Sequence, residues 1–426
     1  MKVAVVGAGP SGLTTLKTLR EAGLDARGFE AGPRVGGQWV LDNPSGTSAA
    51  YHSLRTNTNP AMSRFTDFAF PADYPDYPTH AQMADWLERY AARFGLRDHL
   101  ALETRVERVE PEPGGGFRVE ASGRAPESFD AVVAATGNLW DPVWPATPGT
   151  FDGPIFHSKA YRDAKTPVDL RGRRVLVVGL GNSGCEIAAE LSRDAEVLLS
   201  ARSGNHIFPR LAPGRPAPPH PSEPIPALFR VLPVRLRDAL FARIFPRALA
   251  RMASALPRPE SVGLPPAPSD PFQKRAIVND EILGLLAAGR VTAKPGLRAH
   301  HGREVEFEDG TREAIDAVVL ATGYRFSLPY LSPELLGVDD AMDLRLYQGI
   351  LHPRHPRLFV VGVMRVFCSI WPMAEQQAKW IAARLLDRFP LPSPGVLERR
   401  AYPILRGPLA HCPFRAHDLR REAGLP

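Results

Sequence analysis

Lys2-Val3-Ala4-Val5-Val6 runs as a short β-branched stretch directly into Gly7-Ala8-Gly9-Pro10-Ser11-Gly12, after which apolar residues recur with helical spacing at Leu13, Leu16 and Leu19. A strand, a G-x-G-x-x-G turn and a helix in that succession leave few folds open. Such a turn must bend sharply, gather backbone N–H groups at one point and press a helix onto its strand. Gly7 makes the bend, Gly9 lets a pyrophosphate approach the main chain, and Gly12 lets helix and strand pack. Pro10 suits a helix start, where a missing N–H costs nothing, and Ser11 completes the turn. The pattern is written twice: Arg174-Val175-Leu176-Val177-Val178 leads into Gly179-Leu180-Gly181-Asn182-Ser183-Gly184. The chain is therefore expected to be α/β, with two dinucleotide-binding, Rossmann-like domains.

The residue closing the second strand of each unit says which nucleotide it suits. Glu30 ends Ala26–Glu30 and can accept from a ribose 2′-hydroxyl. At the matching place the second unit has Ser200-Ala201-Arg202-Ser203 after Glu196–Ser200, an arginine without an acid, which suits a 2′-phosphate. A net charge of +6, carried mostly by scattered Arg, also favours phosphate-bearing small molecules over a nucleic-acid stripe. The three cysteines, Cys185, Cys368 and Cys412, lie far apart without a C-x-x-C pair. Neither a disulfide nor a thiol redox centre is expected, and a reducing compartment fits. With no secretory pattern and no apolar run long enough for a bilayer, the protein is expected to be cytoplasmic.

Between the two turns, Gly36-Gly37-Gln38-Trp39 reads as a turn beside an aromatic, and Thr56-Asn57-Thr58-Asn59-Pro60 as a polar turn. Phe65, Phe68, Phe70, Tyr74 and Tyr77 suggest a loop packed over the first domain. A helix is expected over His80–Phe94, with strands near Arg105–Val109 and Phe117–Ala121. Ala131–Gly137 is a buried strand whose small end, Thr136-Gly137, lets the backbone pass close to a cofactor. The spacer Phe151-x-Gly153-x-x-x-His157-x-x-x-Tyr161 joins the two units and reads as a hinge and domain contact rather than a source of chemistry.

From about 205 to 271 the chain becomes dense in proline, an insertion within which only Pro233–Ala255 suits a short amphipathic helix. Glu304–Phe307 and Ala314–Leu320 are expected to form a hairpin across Asp309-Gly310. The second of these ends in Ala321-Thr322-Gly323-Tyr324, an echo of Ala135-Thr136-Gly137. Leu358–Gly362 is a further buried strand, Ala374–Leu386 a helix carrying Gln377, and the chain after Pro390 a solvated tail. The expected domains are 1–150 with 300–426, and 151–299 inserted between them. His300, His301, His352 and His355 are read as loop residues, and no metal is expected.

With these residues in hand, the sequence resembles the flavin-containing monooxygenases, from Met1 to about Leu386. The resemblance rests on both glycine turns, Glu30, Gly36-Gly37-x-Trp39, the Asn57 loop, Phe65-x-Asp67-Phe68-x-Phe70-Pro71, the complete spacer, Val278-Asn279-Asp280-Glu281 and Ala321–Tyr324. Pro60 stands near where that family often has Lys, Lys379 where Arg is common, and the hydrophobic tail of animal members is missing. The resemblance implies FAD and NADPH, hydride transfer from one to the other, capture of O2 as a flavin C4a-hydroperoxide, and oxygenation of an amine or sulfide. The sister Baeyer–Villiger family typically shows Trp followed by Pro or Asp where this chain has Tyr161-Arg162. Ketone oxidation, and an NADPH-dependent flavin reductase or oxidase, remain the alternatives.

The resemblance makes Asn57 the main active-site side chain, since a neutral amide can donate and accept in a dry pocket without adding charge. Asn182 is a second candidate. The cofactor-binding candidates are Gly7, Gly9, Pro10, Ser11, Gly12, Glu30, Gly37, Gln38, Trp39, Thr136, Gly137, Gly179, Gly181, Asn182, Ser183, Gly184, Ser200, Arg202, Thr322, Gly323 and Gln377. The substrate is a small molecule whose pocket is expected from the Asn57 loop, the proline-rich insertion and Phe367–Trp371. The oligomeric state stays open, a homodimer included.

Overall fold

The computed structural model describes residues 1–210, 232–233, 236–237, 239–240, 256–269, 273–366, 368–406 and 412–425. In chain order, β1 (Lys2–Val6) is followed by α1 (Pro10–Glu21), β2 (Asp25–Phe29), α2 (His80–Arg93), β3 (Leu100–Ala101) and β4 (Ala131–Ala134). A second series runs β5 (Ile155–His157), β6 (Arg174–Val178), α3 (Asn182–Leu191), β7 (Glu196–Ser200), β8 (Val291–Lys294) and β9 (Ala317–Leu320). Then β10 (Leu358–Val360), α4 (Ile370–Leu385) and α5 (Cys412–Glu422) return to the first unit.

Two five-stranded parallel sheets result, in the orders β10-β4-β1-β2-β3 and β5-β9-β6-β7-β8. The second is nested in the chain between β4 and β10 of the first, and the expected α/β class with two Rossmann-like units is what the fold displays. A parallel sheet is covered on both faces, so its central strands carry apolar residues on both. Val3 and Val5 of β1 pack into one cluster with Leu13, Leu16 and Trp380, while Ala4 and Val6 pack into another with Val109 and Phe117. In the second unit Val175 and Val177 face the cluster around Cys185 and Ile187, and Leu176 faces Phe307 on the other side.

Several expectations from the sequence change. The hairpin across Asp309-Gly310 pairs Glu304–Phe307 with Arg312–Ala314, and Ala317–Leu320 is instead the parallel β9, lying between β5 and β6. Its four apolar residues are all buried, as a strand covered on both faces requires. The second sheet thus reaches Leu320, beyond the 299/300 division drawn from sequence. Helix α4 begins at Ile370 instead of Ala374, with Pro372 in its first turn, where a missing N–H is tolerated. The Pro233–Ala255 helix falls largely outside the described residues, as does Phe367.

The segment after Pro390 is not a solvated tail. A helix spans Pro394–Arg400, and α5 lies on α4 with Phe414, Ala416 and Leu419 buried. The sparse apolar residues of this arginine-rich helix hid it from periodicity. One carboxylate holds its end: Glu422 accepts from the Tyr347 hydroxyl, from Gln348 Nε2 (2.6 Å) and from Trp380 Nε1 (3.2 Å). Glu422→Ala leaves three donors without their acceptor and is expected to lower the unfolding free energy by about 2 kcal/mol. An unchanged urea midpoint would show that α5 is held by its apolar face alone.

Cys368 and Cys412 form a disulfide, with Cα atoms 6.3 Å apart, which overturns the expectation of no disulfide. The two cysteines are 44 residues apart in sequence, and only the seating of α5 beside the start of α4 brings them together. Cys185 is free and buried.

Candidate functional site

The two glycine turns are alike in three dimensions. Gly7 and Gly179 both take positive φ, 105° and 118°. A Cβ on Gly12 would lie 1.8 Å from the Gly7 carbonyl oxygen, and one on Gly184 would lie 2.0 Å from that of Gly179. The helix is therefore pressed onto its strand in each unit as closely as two backbones allow. The strand ends Ala135-Thr136-Gly137 and Ala321-Thr322-Gly323 repeat the likeness, because each turn backs onto the carbonyl of the alanine, Ala135 behind Gly7 and Ala321 behind Gly179. Neither α1 nor α3 has a side-chain cap, since Gly9 and Gly181 hold the N-cap positions. The first N–H groups of both helices are thus left for an anion, with the positive dipole end behind them.

Both turns open on one cleft of ≈ 750 Å3 between the units, a volume suited to cofactor and substrate groups. Gly7, Gly9, Pro10, Ser11, Glu30, Gly37, Gln38, Trp39, Asn57, Thr136 and Gly137 line it from the first unit. Gly181, Asn182, Ser183 and Gly323 line it from the second. Glu30 is buried, and its two oxygens accept from Ala8 N–H and Gly32 N–H, each at 2.8 Å. Burial pushes its carboxyl above the usual carboxylate range, and those backbone donors pull it part of the way back.

Several buried polar atoms on the cleft wall lack a hydrogen-bond partner among the described residues. Asn57 Oδ1, Thr56 Oγ1, Trp39 Nε1 and Trp140 Nε1 are buried with no hydrogen bond from the described residues, and all four side chains line the cleft. Trp39 and Thr56 are only 7% and 3% exposed. Buried polar groups in a folded protein are ordinarily paired, so donors and acceptors clustered on one cavity fit polar, multi-ring cofactors. Asn182 is half committed, its Oδ1 accepting from Val278 N–H at 2.9 Å.

Other sequence candidates stand behind or beside the cleft. Gly12, Gly179 and Gly184, though part of the turns, do not line it. Gln377 is fully buried and does not line the cleft; its Oε1 accepts from Gly362 N–H (2.9 Å) and its Nε2 donates to Gly349 O (3.2 Å). Its amide shapes the Gly362 corner, which does line the cleft. Ser200 donates to Pro295 O (2.6 Å), and Thr322 donates to Val143 O (2.5 Å). Arg202 is exposed, with no ion pair among the described residues, next to Ser203, whose hydroxyl accepts from Lys274 Nζ (2.6 Å).

Of the spacer, none of Phe151, Gly153, His157 and Tyr161 lines the cleft. His157 Nδ1 accepts from Lys159 N–H (3.1 Å), so the proton sits on Nε2, which donates to Gly323 O (3.0 Å). Burial lowers its pKa, the ring is neutral, and both nitrogens are in use. Among the described residues no cluster of three or more His, Cys, Asp or Glu could hold a metal, and no helix is long and apolar enough to cross a membrane.

Sequence reasoning passed over Thr56, Trp140, Tyr51, Glu186 and Arg275, which also line the cleft. Adjacency to Asn57 could have flagged Thr56. The others carry no local signal, because they reach the cleft only through the way the two units pack.

The flavin-binding monooxygenase-like family model matches residues 1–400. Dimethylaniline monooxygenase (N-oxide-forming) 2 of Rattus norvegicus is 33% identical over 397 residues, covering 89% of this chain and 72% of that protein. Flavin-containing monooxygenase 1 of Homo sapiens is 33% identical over 415 residues, covering 93% and 76%. Among solved structures, S-allyl-L-cysteine S-oxygenase from Allium sativum matches with a TM-score of 0.71 at 23% identity, covering 100% of this chain and 89% of that one. Cyclohexanone monooxygenase with bound epsilon-caprolactone matches at 0.72 and 19% identity, covering 99% and 98%. At those identities the structural likeness speaks for the fold alone.

Proposed function

The chain belongs to the flavin-binding monooxygenase-like family, a monooxygenase with FAD and NADPH as cofactors, and from that premise we propose that it transfers one oxygen atom of O2 to a soft nitrogen or sulfur of a small molecule. The observation that carries this reading is the cleft onto which both nucleotide turns open, with the unpartnered Asn57 amide oxygen on its wall. When bound, the flavin supplies hydride acceptance and oxygen activation, chemistry that asks little acid–base work of the protein.

On this reading the unit built on β1 and α1 holds FAD, with Glu30 on its ribose and Gly9 at its pyrophosphate. The unit built on β6 and α3 holds NADPH. Asn57 offers a neutral hydrogen-bonding edge to the groups that meet in the cleft, and Trp39 and Trp371, edge to face at 5.6 Å, help keep water out. His157 braces the strand end at Gly323 and moves no proton. Nitrogen is favoured over ketones because a relative named as N-oxide-forming is matched at 33% identity over most of both chains. The fold likeness to cyclohexanone monooxygenase, at 19% identity, does not separate the two.

A panel of tertiary amines, sulfides and cyclic ketones, scored by mass-identified oxygenated product per NADPH, tests the proposal. Product from amines or sulfides is expected. Ketone-derived esters alone would replace the reading with Baeyer–Villiger oxidation, and NADPH oxidation without product from any substrate would leave a flavin oxidase. Arg202→Ala is expected to raise the KM for NADPH by about tenfold with that for NADH unchanged, in keeping with loss of one charge-assisted phosphate contact. Equal effects on both nucleotides would remove Arg202 from the 2′-phosphate.

A further inference from the structure

The loop that carries Asn57 belongs by sequence to the first unit, yet it is anchored in the second. A tight turn, closed by Leu54 N–H donating to Tyr51 O (3.0 Å), presents two hydroxyls to α3. The Tyr51 phenol donates to Glu186, and the Ser53 hydroxyl donates to Glu190. Those carboxylates lie four residues apart, one turn along the same helix face. This is the helix whose first turn begins with Asn182. Tyr51 is 3% exposed, and its ring lies edge-on to that of Tyr161 at 6.0 Å within the apolar cluster of the second unit. From Leu54 onward the chain is tied back to its own unit, His80 N–H donating to Leu54 O (2.9 Å) and Thr56 N–H to Pro78 O (3.0 Å). Asn57 comes next.

Glu186 is more than a surface acceptor. Its side chain is 13% exposed and accepts from Arg210 Nη2 (2.6 Å), whose guanidinium also donates to Asp280 (3.2 Å) and lies 5.6 Å over the Tyr77 ring of the first unit. The link between the units is therefore doubled: one arm runs through the Tyr51 phenol, the other through Arg210 onto Tyr77. Burial raises the pKa of the Tyr51 phenol well above its ordinary value, so it stays a donor.

We propose that Tyr51 and Ser53, held by Glu186 and Glu190, form a strap that positions the Asn57 amide between the two nucleotide turns, making these four side chains positioning residues for coupled oxygen transfer. None of them reacts. They act by fixing where Asn57 stands relative to α3, so that the amide keeps its place against whatever α3 holds. Removing the strap leaves the Gly7 turn and Glu30 intact, and leaves Asn57 free to shift with its loop relative to α3. The proposal rests on the monooxygenase reading only for its effect on catalysis; the mechanical part stands on the contacts alone.

The test uses full-length, FAD-loaded Tyr51→Phe and Glu186→Gln variants. Tyr74→Phe, which removes another phenol-to-carboxylate hydrogen bond (Tyr74 to Asp85, 3.0 Å) away from α3, serves as the matched control. Amide hydrogen exchange over residues 51–58 is expected to quicken by about tenfold in Tyr51→Phe and to stay at the wild-type rate in the control. The fraction of consumed NADPH appearing as hydrogen peroxide should rise several-fold in both strap variants, with FAD content unchanged. Tyr51→Phe placed in an Asn57→Ala background should add nothing further, because the phenol acts through that amide. Wild-type exchange over 51–58 in Tyr51→Phe would overturn the strap. Faster exchange with unchanged peroxide would overturn its catalytic role. Absence of any oxygenated product from the wild-type protein would strike the monooxygenase reading instead, and the exchange result would still decide the strap.

Discussion

Asn57→Ala is expected to retain its FAD and to go on oxidising NADPH while oxygenated product falls by about a hundredfold, the size of effect seen when one preorganised hydrogen-bonding group is removed from a dry site. Hydrogen peroxide should account for the difference. Asn57 Oδ1 is buried without a partner among the described residues and the side chain lines the cleft that both turns share, which supports its proposed role toward a group that arrives with the cofactors. The surrounding Trp39 and Thr56 are almost wholly buried, and a hydrogen bond there competes little with water. Truncation removes that bond and opens space for solvent, which favours release of reduced oxygen over its transfer. Because Glu30 and the Gly7 turn are untouched, flavin absorbance per protein should match wild type. A variant in which product formation stays tightly coupled to NADPH use would take Asn57 out of the reaction.

Gly12→Ala and Gly184→Ala should separate the two nucleotide sites. Each new methyl would have to occupy a point about 2 Å from a backbone oxygen of its own turn, that of Gly7 or of Gly179. No rotamer relieves such a contact, since a Cβ is fixed by the backbone and the neighbour is backbone as well. The turn must open and the helix N-terminus must back away from the phosphate position, where its dipole acts only over the first turn. Gly12→Ala is expected to yield protein almost free of FAD, read from absorbance at the flavin band against protein. Gly184→Ala is expected to keep FAD and to raise the KM for NADPH by about two orders of magnitude, of the order expected when a phosphate loses several backbone donors at about 1.4 kcal/mol per tenfold. If both variants lost FAD equally, the assignment of one cofactor to each turn would fail. Circular dichroism of each variant separates local opening from global unfolding.

The amino-acid order alone was enough to specify what is local. A G-x-G-x-x-G turn needs glycines at set places for reasons internal to a dozen residues, so Gly7, Gly9 and Gly12 announced a nucleotide turn, and Gly179, Gly181 and Gly184 announced a second. Their repeat, together with Glu30 against Arg202, carried the α/β class and two nested units. Tertiary structure decided whatever depends on residues far apart in the chain. It placed Ala317–Leu320 inside the second sheet, between β5 and β6, where a hairpin had been expected to claim it. It seated the arginine-rich α5 on α4 and joined Cys368 to Cys412. It turned the Gln377 amide onto Gly362, which lines the cleft that Gln377 itself does not reach. Above all it brought Tyr51 to Glu186, 135 residues away, and with that contact fixed where Asn57 stands. Periodicity and motif spacing record the constraints a segment meets within itself. A hydroxyl that finds its carboxylate only after two sheets have packed leaves no such record.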